Sequence, residues 1–286
     1  MNTTKFYINS ATNTFNKKPL NRGFFCRQMN HFIVKFVYHF MQKVFIITLS
    51  ILYTLISCTK DRHMASAPTY TYTPPVVIPV VVKDTTLKSF LALGDSYTIG
   101  QSVSETDRFP VQTIKYLNAQ GFNFTAAEII AHTGWTTANL LSSLAGAAPV
   151  NPTYDIVTLL IGVNNQYQHK TEQEYADEFL ILLNKAIQYA ANNKKRVIVL
   201  SIPDYSVTPF ARGSDKAAIA REIDAFNAIN KKISEKAGVN YSDITPSSRL
   251  AANDPGLIAA DGLHPSGLEY KVWAEGLVPI IKLALQ

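Results

Sequence analysis

From residue 88 to the C-terminus, short apolar runs alternate with segments whose apolar residues recur at helical spacing. The apolar runs predict five strands, at 89–93, 124–131, 155–161, 196–202 and 238–243. The clearest helical segment is 172–191, where apolar residues follow Tyr175 at offsets of 4, 7, 8, 11, 12 and 15. Two further long helices are predicted, at 215–236 and 266–285.

Two of these helices begin with the sequence of a capping box. Thr171 is followed three residues later by Glu174, and Ser266 by Glu269. Strands that are apolar along most of their length and are separated by helices are typical of a parallel sheet covered on both faces. The pattern therefore predicts one α/β domain over 88–286, a three-layer α/β/α arrangement with a five-stranded parallel sheet.

Polar residues and glycines follow the first three predicted strands. Gly94-Asp95-Ser96 comes after the first strand, 133–137 (TGWTT) after the second, and 162–165 (GVNN) after the third. In an open parallel sheet, ligands bind beyond the carboxyl ends of the strands. Because all three segments must leave the same edge of the sheet, they predict a site there.

Residues 1–57 have the features of a leader. From Met41, a short segment containing Lys43 precedes an apolar stretch at 44–56, which suits the core of a signal peptide better than a membrane span. The ending Leu55-Ile56-Ser57-Cys58 resembles the lipobox of bacterial lipoproteins, in which the Cys is lipidated and becomes the mature N-terminus. We therefore expect an exported bacterial lipoprotein held at a membrane through Cys58. An ordinary secretory signal and a chance cysteine are the alternatives.

Residues 58–87 are predicted to be an extended tether between this anchor and the domain. Their prolines disfavour a helix, and their Thr, Tyr and Val residues favour an extended chain. Nine of the 27 Lys/Arg residues but only one of the 21 Asp/Glu residues lie in 1–64, which leaves a net charge of −2 for the rest. The formal charge of +6 thus belongs to the leader, and nucleic-acid binding by the domain has no electrostatic support.

Cysteine usage excludes several kinds of chemistry from the domain. The chain contains only Cys26 and Cys58, so the part after Cys58 has none. It therefore has no intramolecular disulfide, no cysteine nucleophile and no thiolate metal site.

A serine nucleophile at Ser96 would need a base, and the base would need an acceptor that orients it. Of the three histidines in the domain, His132 and His169 have no carboxylate in an evident supporting position. His264 lies in the sequence DGLHPSG, three residues after Asp261. Gly262 permits a tight turn between them, so the carboxylate and the imidazole are predicted to meet within one loop.

These residues carry a resemblance to a known family. Gly94-Asp95-Ser96, Gly134, Gly162-x-Asn164 and Asp261-x-x-His264 resemble the four sequence blocks of the SGNH (GDSL-type) hydrolases, in the family's order. The resemblance covers essentially 88–286 and implies the flavodoxin-like fold of that family. The first block has Tyr97 where the family often has Leu, a variation that leaves the chemistry unaffected.

The resemblance implies a serine esterase. Ser96 would be the nucleophile, His264 the base and Asp261 the residue that holds the imidazole. The backbone N–H groups of Ser96 and Gly134 and the side-chain amide of Asn164 would form the oxyanion hole. Asp95 is expected to brace the turn. No metal or other cofactor is required by this chemistry, and no dinucleotide or phosphate-loop motif occurs in the sequence.

Aromatic residues next to the predicted site suggest a substrate. Tyr97, Trp135 and Tyr167 lie beside Ser96, Gly134 and Asn164 in the sequence, and they are predicted to form a rim that binds substrate. The connections carry no long apolar lid, so we expect short acyl esters, with acetyl esters on carbohydrates as one class. The alternatives are a lysophospholipase or thioesterase for longer chains, a non-catalytic glycan-binding lipoprotein, and a flavodoxin-like binding domain.

Overall fold

The computed structural model describes residues 84–286. Within them, one parallel sheet contains β1 (Phe90–Gly94), β2 (Glu128–Ala131), β3 (Ile156–Leu160), β4 (Val197–Leu200) and β5 (Asn240–Ser242). The α-helices are α1 (Ser96–Ile99), α2 (Phe109–Ala119), α3 (Thr137–Gly146), α4 (Val163–Tyr167), α5 (Glu172–Tyr189), α6 (Lys216–Ala237), α7 (Thr245–Arg249) and α8 (Gly267–Ala284). Short 3₁₀ helices occur at Glu105–Asp107, Lys194–Arg196, Tyr205–Val207, Pro209–Ala211, Leu250–Ala252 and Pro255–Leu257.

The sheet has the strand order β2-β1-β3-β4-β5, and every neighbouring pair is parallel. Each residue of β1, β3 and β4 is buried, whereas β2 and β5 at the edges are half-buried. Successive side chains of a strand point to opposite faces, so complete burial means that both faces are covered. Helices α2 and α8 pack against each other, and α5 packs against both α3 and α6. The predicted α/β fold with five parallel strands in three layers is confirmed.

The second strand is shorter than the predicted 124–131 because its register changes. Lys88 pairs with Phe124 in an isolated bridge, whereas β1 and β2 pair Leu91 with Glu128, one residue further along the second strand. One extra residue on a strand interrupts the ladder, as in a β-bulge. The fourth and fifth strands are also shorter than predicted, and the Ile202 N–H just beyond β4 donates to Asn227 Oδ1 at 2.7 Å instead of to a strand.

Of the two predicted capping boxes, one is complete and one is not. Thr171 accepts from the backbone N–H of Glu174, and the Glu174 carboxylate accepts from the N–H of Thr171 at 3.0 Å. Ser266 caps α8, but the Glu269 carboxylate does not return to it. Instead Glu269 Oε1 accepts from Trp273 Nε1 at 2.6 Å and from Ser247 Oγ at 2.7 Å. Because these donors occupy the Glu269 carboxylate, only the serine half of the second predicted capping box is formed.

Gly94 is required where β1 turns into α1. A Cβ atom there would lie 2.1 Å from Thr98 Oγ1 and 2.4 Å from the carbonyl oxygen of Leu160. The second neighbour is backbone of β3 and cannot rotate away. The absence of a side chain at Gly94 therefore lets the carboxyl end of β1 lie close to β3, beside the segment that carries Ser96.

The predicted leader, the predicted lipidation of Cys58 and most of the predicted tether lie outside the described residues and stay predictions. Over 84–286, no helix combines the length and the apolar character that crossing a bilayer requires.

Candidate active site

Ser96 is the first residue of α1, directly after β1 and Asp95. The Asp95 side chain caps the helix by accepting a hydrogen bond from the Tyr97 N–H at 3.0 Å. This is the bracing role that the sequence predicts for Asp95. Ser96 is only 4% exposed, and within the described part of the chain its own N–H donates to no protein acceptor. The turn thus places the hydroxyl and the backbone N–H of Ser96 next to each other.

Asp261 and His264 meet within one loop, as predicted. His264 Nδ1 lies 2.6 Å from Asp261 Oδ2. The other carboxylate oxygen, Oδ1, accepts from the backbone N–H groups of Leu263 at 2.9 Å and His264 at 3.0 Å. Gly262 between them has a φ of +73°, a conformation that glycine adopts without strain. Because Nδ1 donates to the carboxylate, His264 Nε2 is left as the acceptor.

The Asp261 carboxylate is strongly favoured in its charged form. Partial burial by itself would raise its pKa, but this is outweighed by hydrogen bonds from Ser102, from His264 and from the two backbone amides. Together they hold the pKa of Asp261 well below its usual range. The side chain next to His264 is therefore a fixed negative charge at neutral pH.

Ser96 and His264 line one cleft at the carboxyl edge of the sheet, with a volume of about 80 Å³. No hydrogen bond joins Ser96 Oγ to His264 within the described residues. In unliganded enzymes such contacts often tighten only when substrate binds. The cleft is lined by Ser96, Tyr97, Val163, Asn164, Tyr167, Tyr205, Phe210, Leu263 and His264.

The second and third loops are held together by Asn164 and Asn165. Asn164, in α4, donates from Nδ2 to the carbonyl of Trp135 at 2.9 Å, and the residue is one of those that line the cleft. Asn165 Oδ1 accepts from the Thr137 N–H at 3.0 Å, and its Nδ2 donates to Thr137 Oγ1 at 2.6 Å. Gly134, between these contacts and β2, has a φ of +83°, and its N–H donates to no protein acceptor in the described region.

Of the three aromatic residues predicted to form a rim, Tyr97 and Tyr167 line the cleft and Trp135 does not. Tyr167 is 53% exposed and lines the cleft, where its ring packs against Tyr205 and Phe210 at centroid distances of 6.2 Å and 5.9 Å. Tyr97 also lines the cleft but is 3% exposed, and its ring lies 5.2 Å from that of His264. Trp135 is not among the lining residues, because its ring stacks on His132 at 5.6 Å.

The other two histidines lie away from this cleft. His132 stacks on Trp135, and its Nδ1 lies 2.9 Å from the carbonyl of Thr133. His169 is exposed just after α4, with a φ of +55°. Neither ring lines the cleft that Ser96 and His264 share.

The segments that form this cleft fall within the match to a known protein family. The model of the GDSL-like Lipase/Acylhydrolase family matches residues 92–272, which include the loops after β1, β2 and β3 and the Asp261–His264 loop. The chain belongs to the GDSL-like lipase/acylhydrolase family. It is accordingly an ester hydrolase by class, and the resemblance seen in the sequence is confirmed. No curated protein sequence matches the chain.

Solved structures of GDSL-type and related hydrolases share the fold. The lipase/acylhydrolase from Enterococcus faecalis is 18% identical, with a TM-score of 0.54 over 70% of this chain and 97% of that one. An alpha/beta hydrolase from the metagenome of Lake Arreo is 16% identical, with a TM-score of 0.51 over 72% and 99%. Phospholipase A1 from Streptomyces albidoflavus is 17% identical, with a TM-score of 0.50 over 69% and 99%.

Two residues that help to build this GDSL-type site were missed in the sequence. Asn165 joins the segment after β3 to the start of α3 by accepting a hydrogen bond from the Thr137 N–H. Its position next to Asn164 was the only feature of the sequence that suggested a role. Ser102 Oγ donates to Asp261 Oδ2 at 2.7 Å across 159 residues of sequence. Nothing in the polar loop QSVSETDRF distinguishes Ser102 from its neighbours, so no local signal identifies it.

Burial gives Asp95 a pH-dependent effect on stability. Burial raises the pKa of Asp95 to about 7, although backbone hydrogen bonds partly oppose the rise, against an ordinary value of 3.8. Between those values the folded state keeps a proton that the unfolded chain releases. The stability contributed by Asp95 is therefore fully present below its unfolded pKa and is lost as the pH rises through about 7.

Asp95→Asn should remove this titration and keep an oxygen that caps Tyr97. Relative to wild type, the free energy of unfolding of Asp95→Asn is expected to rise by about 4 kcal/mol between pH 4 and pH 8. Urea unfolding at both pH values measures it. Asp215→Asn, which changes the exposed cap of α6, is the matched control. Parallel pH profiles of wild type and Asp95→Asn would show that Asp95 is ionised throughout.

Proposed function

We propose that the protein hydrolyses carboxylic esters with Ser96 as nucleophile, His264 as general base and acid, and Asp261 as the group that orients His264. The observation that carries the proposal is the Asp261–His264 contact in the same cleft as Ser96. Membership of the GDSL-like family supports the same reaction class.

The reaction proceeds in two steps through an acyl-enzyme. Ser96 Oγ attacks the ester carbonyl carbon while His264 Nε2 takes the hydroxyl proton. The tetrahedral intermediate collapses, and His264 gives that proton to the leaving alcohol oxygen. Water then attacks the acyl-enzyme carbonyl carbon while His264 takes a proton from the water. The bond between the acyl carbon and Ser96 Oγ breaks, His264 returns the proton to Oγ, and the carboxylic acid leaves. The Asp261 carboxylate stabilises the imidazolium in both steps.

The negative oxygen of each tetrahedral intermediate needs hydrogen-bond donors. The N–H groups of Ser96 and Gly134 have no protein acceptor among the described residues. Ser96 lines the cleft, whereas Gly134 does not, and the role of Gly134 rests on the family resemblance. The Asn164 amide uses one N–H on the Trp135 carbonyl and has a second for the oxyanion. The Trp135 contact also fixes the orientation of the amide before substrate arrives.

The dimensions of the cleft favour short acyl groups. The cleft has a volume of only about 80 Å³ and is open to solvent, so it shelters the first carbons of an acyl chain and leaves the rest of a longer chain in water. The aromatic group of Tyr167, Tyr205 and Phe210 supplies the apolar wall that an acetyl group or a sugar face would contact. Short acyl esters, including acetyl esters on carbohydrates, are the proposed substrates.

A longer-chain activity is the second candidate. The structural relative from Streptomyces albidoflavus is a phospholipase A1, although its 17% identity compares the fold alone. Phe210 is 47% exposed at the mouth of the cleft, where an extended acyl chain would pass.

A fluorophosphonate probe, which labels activated serines, distinguishes a hydrolase of either chain-length preference from a glycan-binding protein without catalysis. It should label the wild type and leave Ser96→Ala unlabelled, and an unlabelled wild type would contradict the proposed function.

Acyl-chain preference is tested with p-nitrophenyl esters of two to sixteen carbons. We expect kcat/KM to be highest at two to four carbons and to fall steeply by ten, because longer chains leave the cleft. Phe210→Ala widens the mouth and should move the optimum to longer chains, whereas Leu250→Ala, exposed and outside the cleft lining, should not. A wild-type optimum at ten carbons or beyond would replace the short-acyl proposal with the lipid-directed one.

A further inference from the structure

Ser102 makes a direct contact with the acid of the proposed triad. Its Oγ donates to Asp261 Oδ2 at 2.7 Å, the same oxygen that accepts from His264 Nδ1 at 2.6 Å. With the two backbone amides on Oδ1, the carboxylate receives four donors. A carboxylate has about four lone-pair directions, so this set occupies its accepting capacity and fixes its plane.

The backbone at Ser102 is in an unfavourable conformation. Its φ is +66°, in the left-handed region that few residues other than glycine and asparagine adopt. Gly100, two residues earlier, also has a positive φ and closes α1. Such outliers persist where surrounding contacts hold them, and they cluster at functional sites. The side-chain contact that Ser102 makes in this conformation is the hydrogen bond to Asp261 Oδ2.

The chain between Ser96 and Ser102 is short and internally bonded. The Gly100 N–H and the Gln101 N–H both donate to the Ser96 carbonyl, the latter at 3.0 Å. The Val103 N–H donates to the Gly100 carbonyl at 3.3 Å. The segment that carries the nucleophile therefore ends in the residue that holds the carboxylate. Ser102 joins the first and fourth sequence blocks by a side-chain hydrogen bond.

We propose that Ser102 is a positioning residue that aligns Asp261, and through it His264, with Ser96. The inference rests on the proposed function of these three residues. The Ser102 hydroxyl limits rotation of the carboxylate and takes part of its charge, so that His264 Nδ1 meets one oxygen in one direction. Ser102 itself touches neither the substrate nor the reacting atoms.

Ser102→Gly is the principal test, because glycine adopts a φ of +66° without strain and lacks the hydroxyl, whereas Ser102→Ala removes the hydroxyl alone. We expect kcat to fall about tenfold, because the imidazole is held in its productive orientation for less of the time, with KM within twofold of wild type. Ser102→Ala should lose the same activity but melt at a lower temperature than Ser102→Gly, because it keeps the unfavourable backbone. Ser104→Ala removes a Ser-to-Asp hydrogen bond of the same loop, to Asp107, and should retain wild-type kcat.

A proton NMR spectrum gives a second measurement that does not depend on turnover. The low-field resonance of the His264 Nδ1 proton should move in Ser102→Gly and stay in place in Ser104→Ala. Wild-type kcat and an unmoved resonance in Ser102→Gly, with Ser96→Ala inactive, would overturn this inference alone. Hydrolysis by Ser96→Ala at the wild-type rate would instead overturn the proposed function beneath it.

Discussion

Ser96→Ala and His264→Ala are each expected to abolish ester hydrolysis, with kcat on a short p-nitrophenyl ester lowered by a factor on the order of 10⁴–10⁶. In the proposed mechanism Ser96 Oγ forms the covalent bond to the acyl group, and the only other hydroxyl groups in the described cleft lining are those of tyrosines. In the same mechanism His264 Nε2 moves the proton in both steps. Because the two residues act as one unit, the double variant should be no worse than either single one.

Both variants are expected to stay folded, which separates loss of chemistry from loss of structure. The Ser96 hydroxyl donates to no described residue, so its removal breaks no hydrogen bond of the fold. Removal of the His264 ring leaves Asp261 bonded to Ser102 and to two backbone amides. Circular dichroism and melting temperature check this point. His169→Ala, outside the cleft, is the matched control and should retain activity, and wild-type turnover by folded His264→Ala would discard the triad.

Asn164→Ala is expected to lower kcat by roughly 10²–10³ while KM changes little, the usual result of removing one oxyanion donor. In the proposed oxyanion hole the amide would stabilise charge that is absent from the bound ester and develops on the way to the tetrahedral intermediate, so its loss should leave substrate binding unchanged. Steady-state kinetics on a short ester measures the two constants separately.

The control for Asn164 is a second amide that reaches the same loop. Gln168 Nε2 donates to the Gly134 carbonyl at 3.4 Å, and the residue does not line the cleft. Gln168→Ala therefore weakens the support of the loop without removing an oxyanion donor, and it should keep kcat within a few-fold of wild type. If Asn164→Ala changes only KM, Asn164 binds substrate and the third donor of the oxyanion hole must be sought elsewhere.

The parts of the fold that the sequence predicted are those with short-range causes. Buried strands such as β1 and β3 are apolar along their length because helices cover both faces of the sheet. The start of α5 could be predicted from the sequence because its capping box spans only Thr171 to Glu174. The Asp261–His264 contact was visible for the same reason, since three residues and one glycine suffice to close it.

The grouping of distant residues came from family resemblance and not from any local pattern. Ser96 begins α1 near the start of the domain sequence and His264 lies in a loop near its end, and only the tertiary fold brings both to one cleft. The rule that sites form beyond the carboxyl ends of parallel strands predicted the edge. It did not predict which side chains at that edge face each other.

The sequence by itself determined the strands, the long helices and the loop that joins Asp261 to His264, because periodicity, capping and tight turns act within a few residues. Only the tertiary structure decided that Ser102 reaches Asp261, that Tyr97 is buried beneath His264, and that Glu269 turns away from its cap. Each of these outcomes depends on which donors and rings packing brings within about 3–5 Å from distant parts of the chain. No local sequence pattern predicts these contacts, because the partners come together only when the layers of the fold pack.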